Sequence, residues 1–346
     1  MNGFTYRSTC RLFASFSDKW FSTVKMASLV SYKLPVNPTA VAVTGPSTAA
    51  LIDQDGQLMM LALDARSGQV VPLQRWLKGP LALESERVDD GHRPSKTLLA
   101  RNAAACVAMH TDHTVWVTRE DMDGWREVIS GRGATDVITI SPMGGFAALE
   151  YPREGIRVVD LFNDMIVTAL PGCTCADFPD ESTLAYARPL FDRNDPSTPC
   201  IGYDVMVQRF FSEIQQGEPT RLRCNEPLEP INMHARSAKK ENSNDFCISI
   251  TLVKVAEGDA ISTRVAVLRY LPSGVLKPES ERAYRDFVAE AIPLPDASLA
   301  VHWPARGGFL LQQASRTYPL ATTEPAQRGN VVAWAAEDSL FFMQYT

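Results

Sequence analysis

One local pattern recurs along this chain and limits what it can fold into. A short apolar run meets a turn containing Pro or Ala with Gly, Asp or Ser, and a second apolar run follows. It stands at Val137-Ile138-Thr139-Ile140-Ser141-Pro142-Met143-Gly144-Gly145-Phe146-Ala147-Ala148 and again from Cys175 through Asp177-Phe178-Pro179-Asp180 to Tyr186. Further copies run from Ala300 through Trp303-Pro304 to Leu311 and from Val331 through Trp334-Ala335 to Phe342. Elsewhere, from Leu29 onward, the dominant hydrophobic period is two, as in Ala40–Thr44, Leu58–Leu63, Val115–Thr118, Phe246–Val253 and Thr263–Tyr270. A period of two puts alternate side chains on opposite faces, which is the signature of strands. Asp55-Gly56, Ser67-Gly68, Asp123-Gly124 and Ser273-Gly274 supply turns in which glycine accepts a positive φ. Glu281–Ala291 reads either as a helix or as a strand, with Pro293 and Pro295 closing it.

The turn positions 142, 179, 304 and 335 are separated by 37, 125 and 31 residues. Spacing of this order is that of β-propeller blades, four-stranded sheets that bury both faces only by stacking around a channel. The stretch from Asp136 reads as one blade: a strand, the Ser141-Pro142 turn, a strand to Glu150, then Gly155–Leu161 and Met165–Leu170. The expected fold is all-β, a propeller of WD-like four-stranded blades, with about six to seven blades in this chain and an incomplete ring as an open alternative. The middle gap of 125 residues has room for two enlarged units or three ordinary ones.

Residues 1–25 stand apart. Arg7, Arg11, Lys19 and Lys25 face one acid, Asp18, among many hydroxyl residues, with Leu12, Phe13, Phe16 and Trp20 at near-helical spacing. That composition is that of a mitochondrial presequence or of a non-structural tail ahead of Met26, and both readings stay open. The expected division is an extension at 1–27 and a propeller at 28–346.

The formal net charge of −6, from 34 basic and 40 acidic residues, argues against a surface that coats nucleic acid, although a local basic patch would survive it. No run approaches the roughly 20 apolar residues of a membrane helix, so no membrane partner is expected. Seven cysteines in 346 residues are too few for a disulfide-stapled scaffold, and their odd number leaves a thiol unpaired.

The search for chemistry yields no catalytic, cofactor or metal residues. Nucleophile-elbow, phosphate-loop, dinucleotide and H-E-x-x-H motifs are absent, and Gly131-Arg132-Gly133 reads as an inter-blade turn. Cys173 and Cys175, two apart on a strand, are expected to face one side as buried thiols. His110 and His113 flank a hairpin turn, and His302 reads as a packed histidine beside Trp303. Trp116, Trp125, Trp303, Trp334, Phe309, Phe341 and Phe342 follow the repeat and read as packing between blades. Two basic groupings are candidates for phosphate or partner contact. Arg119, Arg126 and Arg132 are interleaved with Glu120, Asp121, Asp123 and Glu127, whereas Arg236, Lys239 and Lys240 share a long polar loop and are the better candidates.

The succession of features resembles the eukaryotic translation initiation factor 2A family. It runs from Ile140-Ser141-Pro142 with Ile156–Leu161, through Asp177–Leu184, Ile231-Asn232 and Cys247–Val253, to Ser298–Trp303 with Gly307-Gly308-Phe309, and on to Gly329–Trp334 with Ser339–Phe342. The similarity spans about residues 30–346, on motifs shared by many propellers. The b subunit of initiation factor 3 is a weaker match. The resemblance implies a non-enzymatic, cytoplasmic initiation-factor-like propeller, commonly of nine blades. It also implies binding to the small ribosomal subunit and initiation components, with a link to initiator-tRNA delivery. The chain ends where that family continues with more blades and a basic tail, so ring closure and RNA or factor binding stay open on this reading. The alternative is a WD-type protein–protein scaffold, mitochondrial if residues 1–25 act as a presequence.

Overall fold

The computed structural model describes residues 26–45, 47–53, 57–64, 69–72, 77–78, 99–101, 107–111, 114–118, 125–151, 153–190, 202–209, 220–223, 228–237, 245–255, 261–294, 298–304, 308–313, 316–321, 323, 325–328, 331–336 and 339–345. Their strands form seven antiparallel sheets. The chain enters as β1 (Met26–Lys33) and then builds blade 1 from β2 (Pro38–Gly45), β3 (Thr48–Asp53), β4 (Gln57–Asp64) and β5 (Gln69–Pro72), with β6 (Leu77–Lys78) also against β4. Blade 2 holds β7 (Leu99–Arg101), β8 (Val107–Thr111), β9 (Thr114–Thr118) and β10 (Arg126–Glu127). Blade 3 is β11 (Asp136–Ile140), β12 (Phe146–Tyr151), β13 (Gly155–Asp160) and β14 (Met165–Pro171). Blade 4 is β15 (Thr174–Asp180), β16 (Thr183–Leu190), β17 (Gly202–Arg209) and β18 (Thr220–Arg223). Blade 5 follows with β19 (Glu229–Ser237), β20 (Phe246–Val255), β21 (Ile261–Tyr270) and β22 (Leu276–Tyr284). Blade 6 has β23 (Glu290–Pro293), β24 (Leu299–Trp303), β25 (Gly308–Gln313) and β26 (Arg316–Ala321). Blade 7 has β27 (Ala326–Arg328), β28 (Val331–Ala336) and β29 (Ser339–Tyr345), completed by β1.

That last pairing closes the ring. Residues from Ser28 against Gln344 to Lys33 against Ser339 run antiparallel, so the first and last strands share one sheet. The sequence left ring closure open; the shared closing sheet decides it, within the expected six to seven blades.

Strand periodicity explains why the blades stack. Along β12, Ala147, Leu149 and Tyr151 join the core facing blade 2, while Phe146 and Ala148 join the core facing blade 4. Both faces are buried, so the strand reads as a nearly continuous apolar run. The other blade interfaces repeat this. Tyr203, Val205, Met233 and Ile248 pack between blades 4 and 5. Val267, Tyr284, Leu299 and Val301 do so between blades 5 and 6. First strands of neighbouring blades approach one another, β11 to β15, β15 to β19 and β19 to β23, and form the inner wall.

Two sequence expectations need correcting in phase. Residues 137–148 and 175–186 are first-to-second-strand hairpins of blades 3 and 4, whereas 300–311 and 331–342 are second-to-third-strand hairpins of blades 6 and 7. Successive hairpins of one blade look alike locally, so turn spacing mixed two kinds. Glu281–Ala291 forms no helix: it spans the end of β22 and the start of β23, joined by the non-strand residues 285–289.

Candidate functional site

The inner wall carries a buried polar belt across blades 3 to 6. A first strand is the edge of its sheet, so its inward backbone groups lack ladder partners and need side chains instead. Asp177, in the middle of β15, supplies this. Its Oδ1 accepts the Thr139 hydroxyl at 2.6 Å and its own neighbour's Phe178 N–H at 2.9 Å. Its Oδ2 accepts the Ala235 N–H from the edge of β19 at 2.8 Å and the Arg236 guanidinium. Beside them, His234 Nε2 meets Glu290 Oε2 at 2.9 Å, and its Nδ1 lies 3.4 Å from Arg236 Nη2. Asn232 Nδ2 donates to the same Glu290 oxygen at 3.3 Å, and Glu290 Oε1 lies 3.5 Å from His302 Nδ1. Asp177 and His234 are each 3% exposed and Glu290 8%. Charges buried this deeply persist only when paired and hydrogen-bonded.

Arg236 therefore stands in β19 with its guanidinium on Asp177, rather than in a loop, while Lys239 and Lys240 lie outside the described residues. In the other basic grouping, Arg132 forks onto Glu127 at 3.0 and 3.1 Å, and Arg126 pairs with Asp164 at 3.5 Å. Arg119 lies outside the described residues. Burial pushes the Asp164 carboxyl up, but the N–H groups of Ser130 and Ile129, and Arg126, bring it below the ordinary value. That carboxylate fastens the short 3-10 turn Ile129–Gly131, which joins blades 2 and 3, to blade 3.

A second clamp joins the hairpin turns of blades 3 and 4. Glu181 accepts the Ser141 hydroxyl at 2.9 Å and the N–H groups of Met143 and Gly145 at 2.9 and 2.8 Å. Burial raises its carboxyl above the usual range, and these donors offset part of the rise. A Cβ on Gly145 would overlap Glu181 Oε1. Moving that oxygen aside breaks the clamp, so Gly145→Ala should cost about 1–3 kcal/mol. In a Glu181→Ala background the same change should be nearly neutral, and urea midpoints of the four proteins would show the coupling. Equal costs in both backgrounds would dismiss the clamp.

Cys173 and Cys175 are buried thiols as expected, but they do not face one side. Cys175 adopts φ 48° at a β-bulge, and the strand changes phase there. Cys173 enters the core between blades 3 and 4, and Cys175 the core between blades 4 and 5. Among the described residues no group of three or more His, Cys, Asp or Glu side chains is placed to hold a metal. Burial, with Glu279 beside it, pushes the Cys247 thiol up to about 12 from 9.0. A folded-state value raised above the unfolded one means that the unfolded chain loses this proton first. Stability should therefore fall between pH 9 and 12, by at most about 1.4 kcal/mol per pH unit from this group. At pH 8, mass-resolved alkylation should leave Cys173, Cys175 and Cys247 unmodified until denaturant is added; ready labelling of folded Cys247 would contradict the burial.

The aromatic set packs. Trp334 is buried and stacked on Phe341 at 5.6 Å, Trp303 meets Tyr284 edge-on at 5.5 Å, and Trp125 covers the core of blade 1. His302 stacks on Phe309 at 4.7 Å, half-buried. His110 lies in β8 beside the β8–β9 hairpin, and His113 lies outside the described residues. Asp177, His234 and Glu290 went unnoticed in sequence. The available signal was an ionisable residue inside an apolar strand, as in Cys175-Ala176-Asp177-Phe178 or Glu290-Ala291-Ile292, which requires a buried partner.

Closed four-stranded blades with a shared first-and-last sheet define a seven-bladed, WD-like β-propeller. Neither a family model nor a curated protein sequence matches the chain. Among solved structures it is similar to the WD40 β-propeller domain of Doa1, with TM-score 0.45 and 11% identity over 94% of this chain and 98% of that one. The assignment of class rests on the strand pairing itself.

Proposed function

We propose that this chain is a non-catalytic propeller that serves as a scaffold for protein partners. The supporting observation is the belt itself: Asp177, Arg236, His234 and Glu290 engage one another inside the wall, as structural ties between blades, instead of converging on an exposed reaction centre. Rigid closed rings of this kind offer loops and rims as binding surface. Within that class, the order of sequence features supports docking to the small ribosomal subunit or an initiation complex in the cytoplasm. The resemblance implied a larger ring; here seven blades close by themselves, so any docking surface belongs to a complete propeller.

The test is fractionation of cells expressing the chain with a C-terminal tag, on gradients at low and high salt, with crosslinking and identification of captured proteins. Co-migration with cytosolic small subunits that falls as salt rises supports the ribosomal reading. Stoichiometric protein partners without ribosomal co-migration support the scaffold and remove initiation. Recovery in mitochondria that depends on residues 1–25 replaces the cytoplasmic reading. A monomer that captures nothing overturns both.

A further inference from the structure

Arg236 lies between two groups that compete for it. An arginine guanidinium has only donors, so the His234 Nδ1 that faces it at 3.4 Å is an acceptor. The ring proton then sits on Nε2 and is donated to Glu290 at 2.9 Å. On taking up a second proton, both ring nitrogens become donors. Nδ1–H⁺ cannot face a guanidinium, and the nearest described acceptor is Asp177 Oδ2 at 3.8 Å, the same oxygen that holds Arg236. The carboxylate cannot follow Arg236, because Thr139 and the N–H groups of Phe178 and Ala235 fix it. Glu290 is fixed likewise by Asn232, with His302 on its other oxygen. Arg236, with a side chain 19% exposed against 4% for His234, is the cation with somewhere to go.

We propose that His234 is a proton-operated latch: a proton from solvent on Nδ1 transfers Asp177 Oδ2 from Arg236 to the imidazolium and turns the Arg236 guanidinium outward from the inner wall. With His234 neutral, the side-chain tie between blades 4 and 5 runs through Arg236. With the second proton on the ring, it runs through His234, which also keeps Glu290 of blade 6. The inner wall then presents a cation that is otherwise sequestered. This holds whether or not the scaffold reading does.

The experiment is NMR on the full chain with ¹⁵N-labelled His and Arg, titrated from pH 8 to pH 5. At pH 8, the His234 signal, assigned by its loss in His234→Gln, should show the single tautomer protonated at Nε2. As pH falls, Nδ1 should become protonated, and the Arg236 side-chain signals should shift with the same midpoint. In His234→Gln the Arg236 signals should stay flat over that range, while His302→Gln should leave the coupling intact. Proton on Nδ1 at pH 8, no titration of His234, titration without movement of Arg236, or unchanged movement in His234→Gln each overturns the latch. Should His234→Gln fail to fold, the wild-type tautomer and the shared midpoint decide alone, with assignment through the retained signals of His302→Gln.

Discussion

Removing residues 1–33 should open the ring and leave a chain that aggregates or unfolds at room temperature, and a chain lacking only residues 1–25, which keeps β1, is the comparison. β1 completes blade 7 by pairing with β29 from Ser28 to Lys33. Tyr32 is buried and meets Phe342 edge-on at 6.4 Å, and it shares a core with Leu340, Ala333 and, from blade 1, Val41 and Leu61. Losing the strand exposes the whole edge of β29, a template for pairing with another chain. It also strips the apolar cover from Phe342 and Leu340. Burial of one such aromatic contributes about 1.5–3 kcal/mol, and the six or so lost ladder pairs add to it. The total is comparable with the roughly 5–15 kcal/mol that a domain has to lose. Size-exclusion chromatography and urea unfolding of both truncations would check this. A monodisperse 34–346 chain with an unchanged midpoint would mean that the ring does not depend on its closing strand.

The second large effect is expected at Asp177. Asp177→Ala removes the carboxylate that Arg236 engages and takes the acceptor from both the Thr139 hydroxyl and the Ala235 N–H. Each buried donor left without this acceptor costs about 1–3 kcal/mol. Asp177→Asn keeps an acceptor for the backbone and should cost less. A loss under about 1 kcal/mol for the alanine variant, read from urea midpoints, would mean that the belt is ornamental to stability.

Much of blade 3 was legible residue by residue. Asp136–Ile140, Phe146–Tyr151, Gly155–Asp160 and Met165–Pro171 fall where alternation and turn residues put them. Those signals are local: a Ser-Pro-x-Gly-Gly turn and two alternating runs specify a hairpin wherever they occur. The same locality explains the misphased hairpins at 300–311 and 331–342, since a hairpin does not record whether its first strand is innermost or second. The facing of the cysteine pair, though not its burial, failed for a related reason. A single bulge at Cys175 inverts the facing of everything before it, and a bulge is set by pairing with Ala187 and Tyr186.

The candidate site was less legible still. The polar residues around Arg236 suggest a loop facing solvent or phosphate, whereas Arg236 engages Asp177, 59 residues away. Glu290 lies 56 residues from His234. No spacing rule joins residues on three different strands whose separation depends on the length of intervening loops.

What the sequence by itself determined is the alternation of buried and turn residues, and with it a chain of four-stranded antiparallel units that bury apolar residues on both faces. Because each unit has two apolar faces, stacking was already implied. Tertiary structure alone decided that the stack stops at seven, that Met26–Lys33 returns to seal it, and that Asp177, His234, Arg236 and Glu290 meet on the inner wall. The physical reason is one of range: strand and turn preferences act over a few residues, whereas closure and charge pairing depend on the accumulated angle between blades, which no short segment carries.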